Sequence, residues 1–381
     1  AAAAAMGEAP TTAAGVAELR ARLEAEGTDA EAVRFRSEPL DDALRRFLQA
    51  RKNDVAAAAD QIRQAVTWRS EFAAACVRDG KAACLGAEVE EVAQFYAGAY
   101  AGHCKEGRPI WYEQTGQVDV HALHCLSSDE KFIRYHVCLM EELQDKYAEN
   151  SASFGKTINK TLSILDLQGV TMAKLSSETL EFVKKIAKVD SANYPETMGK
   201  MLIINAPGIF KFAWGLVQAF LDPRTVSKIE ILSGPEVWKP RLAQLVDADQ
   251  LPAELGGTGP PCLPTINAFH KVTIASGTAH KIEVAVTAND ILRFKFFTYA
   301  AGDISFKLVL IRPDGSELPL VPHAAYSADR CSNGHCVAGE VQCPEGGTVR
   351  AEWDHPGWWS REIACRAYKV EPAAPAPAAA E

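Results

Sequence analysis

The chain runs to 381 residues, 48% hydrophobic and 23% charged, with a formal net charge of -9. That length exceeds what one compact core usually organises, so two domains are expected. The negative balance excludes a general nucleic-acid binder, which needs a basic face to displace phosphate counterions.

No apolar run approaches the ~18 residues of a membrane-spanning helix, and no basic stretch followed by an apolar one marks a leader. The ten cysteines are scattered. Without a leader they read as reduced thiols, and a cytoplasmic protein is expected.

Residues 1–30 form a low-complexity start leading into an amphipathic helix that carries Val16, Leu19 and Leu23. Residues 31–100 read as a helical lobe. Leu44, Phe47 and Leu48, then Val55, Ile62, Val66, Trp68 and Phe72, recur at helical spacing, with Asn53-Asp54 as turn and N-cap between two helices. Another short helix is predicted over 89–96.

Over 101–260, strands alternate with helices. Strands are predicted at 109–112, 161–167, 201–205 and 228–232, and helices at 131–147 and 176–189. This pattern predicts an α/β domain whose mixed sheet is covered by helices. Helical signals stop at Gly256-Gly257-Thr258-Gly259-Pro260-Pro261. Over 261–371, short strands at 271–274, 280–286, 291–299, 304–312, 348–353 and 362–370 predict an all-β sandwich. Residues 372–381, rich in Ala and Pro, are expected to be disordered.

One segment stands out. From Gly208 to Leu221, Phe210, Phe212, Trp214, Leu216, Val217 and Phe220 spread around the whole helical circumference, interrupted only by Lys211 and Gln218. A helix apolar all round is either a central core helix or one that faces lipid on one side. On this segment alone both readings stand.

The remaining constellations are structural. There is no nucleophile elbow, phosphate loop or His-Glu-x2-His motif, so neither an enzyme nor a cofactor is expected. Cys331, His335, Cys336 and Cys343 lie close in sequence but lack the paired knuckles of a zinc site, which favours a polar loop with free thiols. Trp353 reads as core. Trp358 and Trp359 suit packing or contact with a membrane or partner.

The neighbours of the apolar segment carry a resemblance. Asn193-Tyr194-Pro195-Glu196 and Ile204-Asn205-Ala206-Pro207 precede it; Asp222-Pro223 and Thr225-Val226-Ser227-Lys228 follow. Upstream stand Leu44 to Lys52, Trp68-Arg69, Gly107-Arg108-Pro109-Ile110-Trp111 and Ile164-Leu165-Asp166-Leu167-Gln168-Gly169. Together, over about residues 40–260, these resemble the CRAL-TRIO family, and within it the phosphatidylinositol/phosphatidylcholine transfer proteins. The sandwich is similar to a GOLD domain, on Asp303-Ile304-Ser305-Phe306 and the closing run Trp353 to Trp359. That layout is the one found in supernatant protein factor and the patellins.

The resemblance implies a lipid-binding α/β domain, closed by the 208–221 helix as a lid, followed by a GOLD-like sandwich. It assigns the phosphatidylinositol head group to Arg51, Lys52, Glu196, Thr225 and Lys228. The chemistry is sound, because a phosphodiester needs cationic and hydroxyl donors and inositol hydroxyls need an acceptor. Tyr100, Trp111, Thr161 and Ser163 match the second-lipid head group less well. The Thr and Ser are exchanged in order, and Trp111 and Met140 stand where tyrosines are expected. The second ligand is phosphatidylcholine or a more apolar lipid. Asp166 falls in a motif shared by this non-enzymatic family, which implies a structural role. The implied function is uptake of single lipids and their transfer or presentation at membranes touched transiently, without nucleic acid, metal or cofactor. The alternative is a lipid-sensing trafficking adaptor that binds a protein partner through the GOLD-like unit.

Overall fold

The computed structural model describes residues 11–171, 174–219, 221–264, 268–300, 302–355 and 357–370. Phe220 of the expected lid, and the tail over 372–381, lie outside the described residues. The chain forms two compact units, one built from 1–89, 95–120 and 129–265, the other from 90–94, 121–128 and 266–381.

The first unit opens with helices α1 (Ala13–Ala25), α2 (Leu40–Ala50), α3 (Val55–Trp68), α4 (Ala74–Asp79) and α5 (Lys81–Leu85). Thr12 caps α1, and Asp54 caps α3 by accepting from the Ala57 N–H at 2.9 Å. Each side chain satisfies an amide that has no partner inside its helix. Leu19, Leu23, Leu44, Phe47 and Ile62 join in one buried cluster. Helices α6 (Val89–Ala93) and α7 (Val120–Leu126) follow, most of their residues belonging to the second unit.

Five strands make the sheet of the first unit: β1 (Gly98–His103), β2 (Pro109–Glu113), β3 (Thr161–Asp166), β4 (Met198–Ile204) and β5 (Ile229–Ile231). They lie in sequence order; β1 pairs antiparallel with β2 and the others are parallel. The long connections are α8 (Asp129–Phe154), α9 (Ser177–Asn193), α10 (Phe210–Gln218), α11 (Pro223–Ser227) and, after β5, α12 (Pro235–Leu245).

Alternation along the strands gives the two faces different fates. Ile110, Tyr112, Leu162, Ile164, Leu202 and Ile204 are buried with Trp238 and Leu242 of α12. Trp111, Ser163, Leu165, Met201 and Ile229 face the other way and stay half-buried. The sequence reading missed β1 and α12. The strand Gly98–His103 carries little bulk, and α12 contains Pro240.

Among the described residues the second unit holds eight strands: β6 (His270–Ile274), β7 (Ala279–Val286), β8 (Ile291–Thr298), β9 (Ile304–Ile311), β10 (Glu317–Tyr326), β11 (Val337–Gln342), β12 (Gly347–Asp354) and β13 (Arg361–Lys369). They form two antiparallel sheets, β10-β9-β12-β7 and β11-β8-β13-β6. A short helix, α13 (Ala328–Cys331), links β10 to β11. Phe296, Phe306, Leu308, Leu310 and Trp353 fill the space between the sheets, with the Phe306 and Trp353 ring centroids 5.1 Å apart. Glu91, fully buried, accepts from Lys295 and Arg366, each at 2.7 Å. Two cations offset the desolvation of one carboxylate.

Cys331 ends α13 and Cys336 immediately precedes β11, while Cys343 follows its end, so β11 separates Cys343 from the other two. Among the described residues no His/Cys/Asp/Glu group could hold a metal. Trp358 and Trp359 are 95% and 81% exposed. Trp353 is the core residue of the three.

Replacing Trp353 by Ala empties the centre of the sandwich. The expected loss is about 3–5 kcal/mol, read in urea unfolding followed by Trp fluorescence and far-UV circular dichroism.

Candidate lipid-binding site

Helix α10 lies over the half-buried sheet face. Phe210 and Ala213 bury against Leu167 and Ile203, with Trp214, Leu165, Met201 and Ile229 packed around them. The other side of the helix faces water: Phe212 is 71% exposed and Leu216 47%. Trp214 and Val217 are half-buried at the margins. Helix α9 fully buries only Asn193, while Leu180, Phe182, Ile186 and Val189 are half-buried. This sheet face and these helices are apolar yet less completely packed than the face under α12.

The expected phosphatidylinositol residues gather around α11. Lys228, the C-cap of α11, donates its ammonium to Glu196 at 2.7 Å. Glu196 adopts a left-handed backbone (φ +61) in the turn before β4, a conformation that non-glycine residues hold only when their surroundings fix it. The backbone N–H of Lys228 donates to the Thr225 carbonyl at 3.1 Å, so one turn presents both side chains. Arg224 lies 3.8 Å from Glu196 and donates to the Gln49 carbonyl at the end of α2. Arg51 and Lys52 follow there, both exposed. The Asp222 carboxyl is pulled below its usual range: burial opposes this, but hydrogen bonds from Arg224 and the charge of Lys52 prevail. Segments far apart in sequence thus converge on α11.

A buried ion pair holds the turn. Arg46 and Glu38 are each 2% exposed and meet at 2.8 Å. Arg46 also donates to the Pro195 carbonyl at 3.0 Å, next to Glu196, and Asn159 donates to Glu38 at 2.7 Å.

The second expected set lies on the open sheet face. Register places Tyr100 beside Trp111 and Trp111 beside Ser163, with the Tyr100 and Trp111 rings edge to face at 4.9 Å. Two of the expected hydroxyls are already engaged. Tyr100 donates to the Leu139 carbonyl at 3.1 Å, and Thr161 shares a 2.8 Å hydrogen bond with Tyr147. A residue that the sequence reading passed over joins them: Glu113 accepts from Tyr96 at 2.7 Å, Thr115 at 2.8 Å and Trp111 at 3.3 Å. Its place two residues beyond Trp111 on the same strand face was the available signal. Asp166 accepts from Asn205 at 2.8 Å and from the Gln168 N–H at 2.9 Å, tying the ends of β3 and β4 together.

Two predictions follow from this geometry. Glu38→Ala strands the Arg46 charge in the interior, and the expected loss is about 3–5 kcal/mol in urea unfolding, with Glu38→Gln losing less. His136 on α8 bonds Asp190 on α9 at 2.7 Å. Burial pushes its pKa down, but the Asp190 charge and hydrogen bond, with Glu113 behind, raise it above 6.5. The stabilisation is therefore fully present below the unfolded value and fades as pH rises through the folded one. The gap in melting temperature between wild type and His136→Gln should narrow from mildly acidic to alkaline pH; a gap constant with pH contradicts the assignment.

Comparison with known proteins agrees with this geometry. The model of the CRAL/TRIO domain matches residues 96–257. The Sec14 cytosolic factor of Schizosaccharomyces pombe is 34% identical over 223 residues, which cover 58% of this chain and 76% of that protein. Phosphatidylinositol/phosphatidylcholine transfer protein SFH4 of Arabidopsis thaliana is 36% identical over 222 residues. The chain spans only 36% of the length of that plant relative. The shared stretch contains the sheet, α10 and the α11 cluster, and the chain belongs to the CRAL-TRIO family, among relatives of Sec14.

Proposed function

We propose that the chain takes single phospholipids into the cleft beneath α10 and transfers or presents them between membranes, phosphatidylinositol being one ligand. The observation that carries this reading is the junction of α10 and α11. A helix with Phe212 and Leu216 in water runs within a few residues into the turn that holds Thr225 and Lys228 against Glu196. Acyl chains need the first and a phosphodiester with inositol hydroxyls needs the second. The CRAL/TRIO match and relatives named as phosphatidylinositol/phosphatidylcholine transfer proteins support it.

In this reading α10 swings away at a bilayer, where Phe212 and Leu216 each gain about 1.5–3 kcal/mol on leaving water. The lipid's chains then line the face of Trp111, Leu165, Met201 and Ile229, and the helix closes over them. Arg51, Lys52, Thr225 and Lys228 hold the phosphate and Glu196 accepts from the inositol. A second lipid contacts Tyr100, Trp111, Thr161 and Ser163, with Glu113 beside them. Among the described residues no helix is long and apolar enough to cross a membrane, which suits a protein that meets bilayers from outside. No covalent chemistry is assigned to the cleft.

The alternative, an adaptor whose lipid is a membrane sensor, draws on one observation, the exposed Trp358 and Trp359 of the GOLD-like sandwich. Turnover separates the two: a transfer protein moves many lipids per molecule between vesicles, and an adaptor does not.

Thr225→Asp places a carboxylate where the phosphate enters, and Lys228→Ala removes a charge-assisted donor worth about 1.5–3 kcal/mol. Either should cut phosphatidylinositol transfer between vesicles tenfold or more while circular dichroism stays unchanged. Undiminished transfer by both variants, or recovery of only neutral lipids by mass spectrometry of the purified protein, refutes the assignment.

A further inference from the structure

The four parallel strands of the first unit begin along one edge of the sheet. Arg108 stands immediately before β2, Lys160 immediately before β3, Glu196 two residues before β4 and Lys228 immediately before β5. Neighbouring strands lie about 4.8 Å apart, so four charged residues are lined up at the edge to which the phosphatidylinositol residues belong. Arg108 leans across this row. A Cβ built on Gly199 of β4 would stand 3.0 Å from its Cδ and 3.1 Å from its Nε and Nη1, so the guanidinium passes over the start of β3.

The charges in this row are unequally partnered. Lys228 is bonded to Glu196 at 2.7 Å, Arg224 to Asp222 at 3.2 Å, and Arg108 to Glu106. Lys160 is half-buried and, among the described residues, has neither an ion pair nor a side-chain hydrogen bond. Burial, and then the charges of Lys228, Arg108 and Arg46, push its ammonium below the ordinary lysine value, with Glu196 alone pulling the other way. A half-buried cation among cations costs free energy until an anion joins it. One phosphodiester, held by Thr225 and Lys228, leaves that cation unanswered.

We propose that Lys160, with the Arg108 guanidinium beside it, forms a second phosphate position, and that the chain therefore takes inositol lipids bearing a phosphomonoester on the ring. The proposal rests on the phosphatidylinositol reading above. A phosphomonoester carries a charge of about -1.5 to -2 near neutral pH and three acceptor oxygens, which suits one ammonium and one guanidinium on adjacent strand ends. Lys160 is separate from the residues that the family resemblance assigns, and its role follows from its place in the row and its lack of a partner.

The test compares transfer from vesicles containing phosphatidylinositol with transfer from vesicles containing each phosphatidylinositol monophosphate in turn. Wild type should move phosphatidylinositol and at least one monophosphate. Lys160→Gln should lower the ratio of monophosphate to phosphatidylinositol transfer about tenfold, the loss of one charge-assisted contact, and Lys160→Arg should restore it. Soluble inositol bisphosphate and inorganic phosphate are added as competitors. Weak competition by both supports a lipid head group. Full inhibition of monophosphate transfer by inorganic phosphate alone overturns the lipid assignment in favour of a free-phosphate site. Wild type that moves phosphatidylinositol but no monophosphate, or Lys160→Gln with an unchanged ratio, overturns the inference and leaves the phosphatidylinositol reading standing. Failure to move either lipid removes both.

Discussion

The Arg46 guanidinium is buried to 2% exposure, and the geometry of the first unit depends on how it is satisfied. It meets Glu38 through two bonds of 2.8 Å, the Pro195 carbonyl at 3.0 Å and the Val33 carbonyl at 3.3 Å, and its Cζ lies 3.9 Å above the Phe35 ring. Removing two charges from water costs several kcal/mol each, and only dense hydrogen bonding offsets it. That density has a structural consequence. Helix α2, the turn of Val33 and Phe35, Asn159 before β3 and the Tyr194-Pro195-Glu196 turn must all be in place at once. The helical lobe and the sheet edge are therefore locked in register, and Glu196 is held in its left-handed conformation within reach of Lys228.

Fixing that edge leaves freedom elsewhere. The face of the sheet under α12 is packed as a core, with Ile110, Leu162, Ile164 and Leu202 fully or nearly fully buried. On the other face, Trp111, Leu165, Met201 and Ile229 stay half-buried, and α10 rests on it through Phe210 and Ala213. One sheet thus has a rigid side and a side whose apolar surface is only partly satisfied. This asymmetry suits the proposed lid movement, since among the described residues the locked edge and the packed face share no buried cluster with α10.

Much of this was legible in the sequence because it is written locally. Asp54 after Asn53 announced the break between α2 and α3, and buried runs announced β3 and β4. The spread of aromatics from Phe210 to Val217 announced a helix with no polar side. What escaped is what neighbouring strands supply. Strand β10 holds Pro319 and Pro322, which argue against a strand until its place at a sheet edge is known. Its register shifts around Pro319 and Val321 complete the disguise. Glu113 reads as a surface acid until Tyr96, Thr115 and Trp111 are seen to donate to it. Lys160 reads as a solvated lysine until the parallel register sets it between Arg108 and Lys228. The expected phosphatidylinositol residues came from matched motifs; their convergence on α11 is a product of the fold.

The physical link between α10, the proposed lid, and the proposed head-group turn is covalent and short. Helix α10 ends at Gln218 and α11 begins at Pro223, whose ring fixes the first turn, while Asp222 caps it through the Arg224 N–H at 2.8 Å. Arg224 in turn donates to the Gln49 carbonyl, which anchors α11 to the locked lobe. In the proposed transfer reading, a swing of α10 hinges between these points, close in sequence to Thr225 and Lys228. The exposed faces of Phe212 and Leu216 bring the free energy for that swing from outside, since their burial in a bilayer is available only when the helix leaves the sheet. Loss of α10 from the sheet bares Ile203 and Leu167, so the open form is favourable only while lipid covers both surfaces. In that proposed cycle opening is confined to the membrane, and the turn of Thr225 and Lys228 beside the hinge is placed to respond to which lipid has entered.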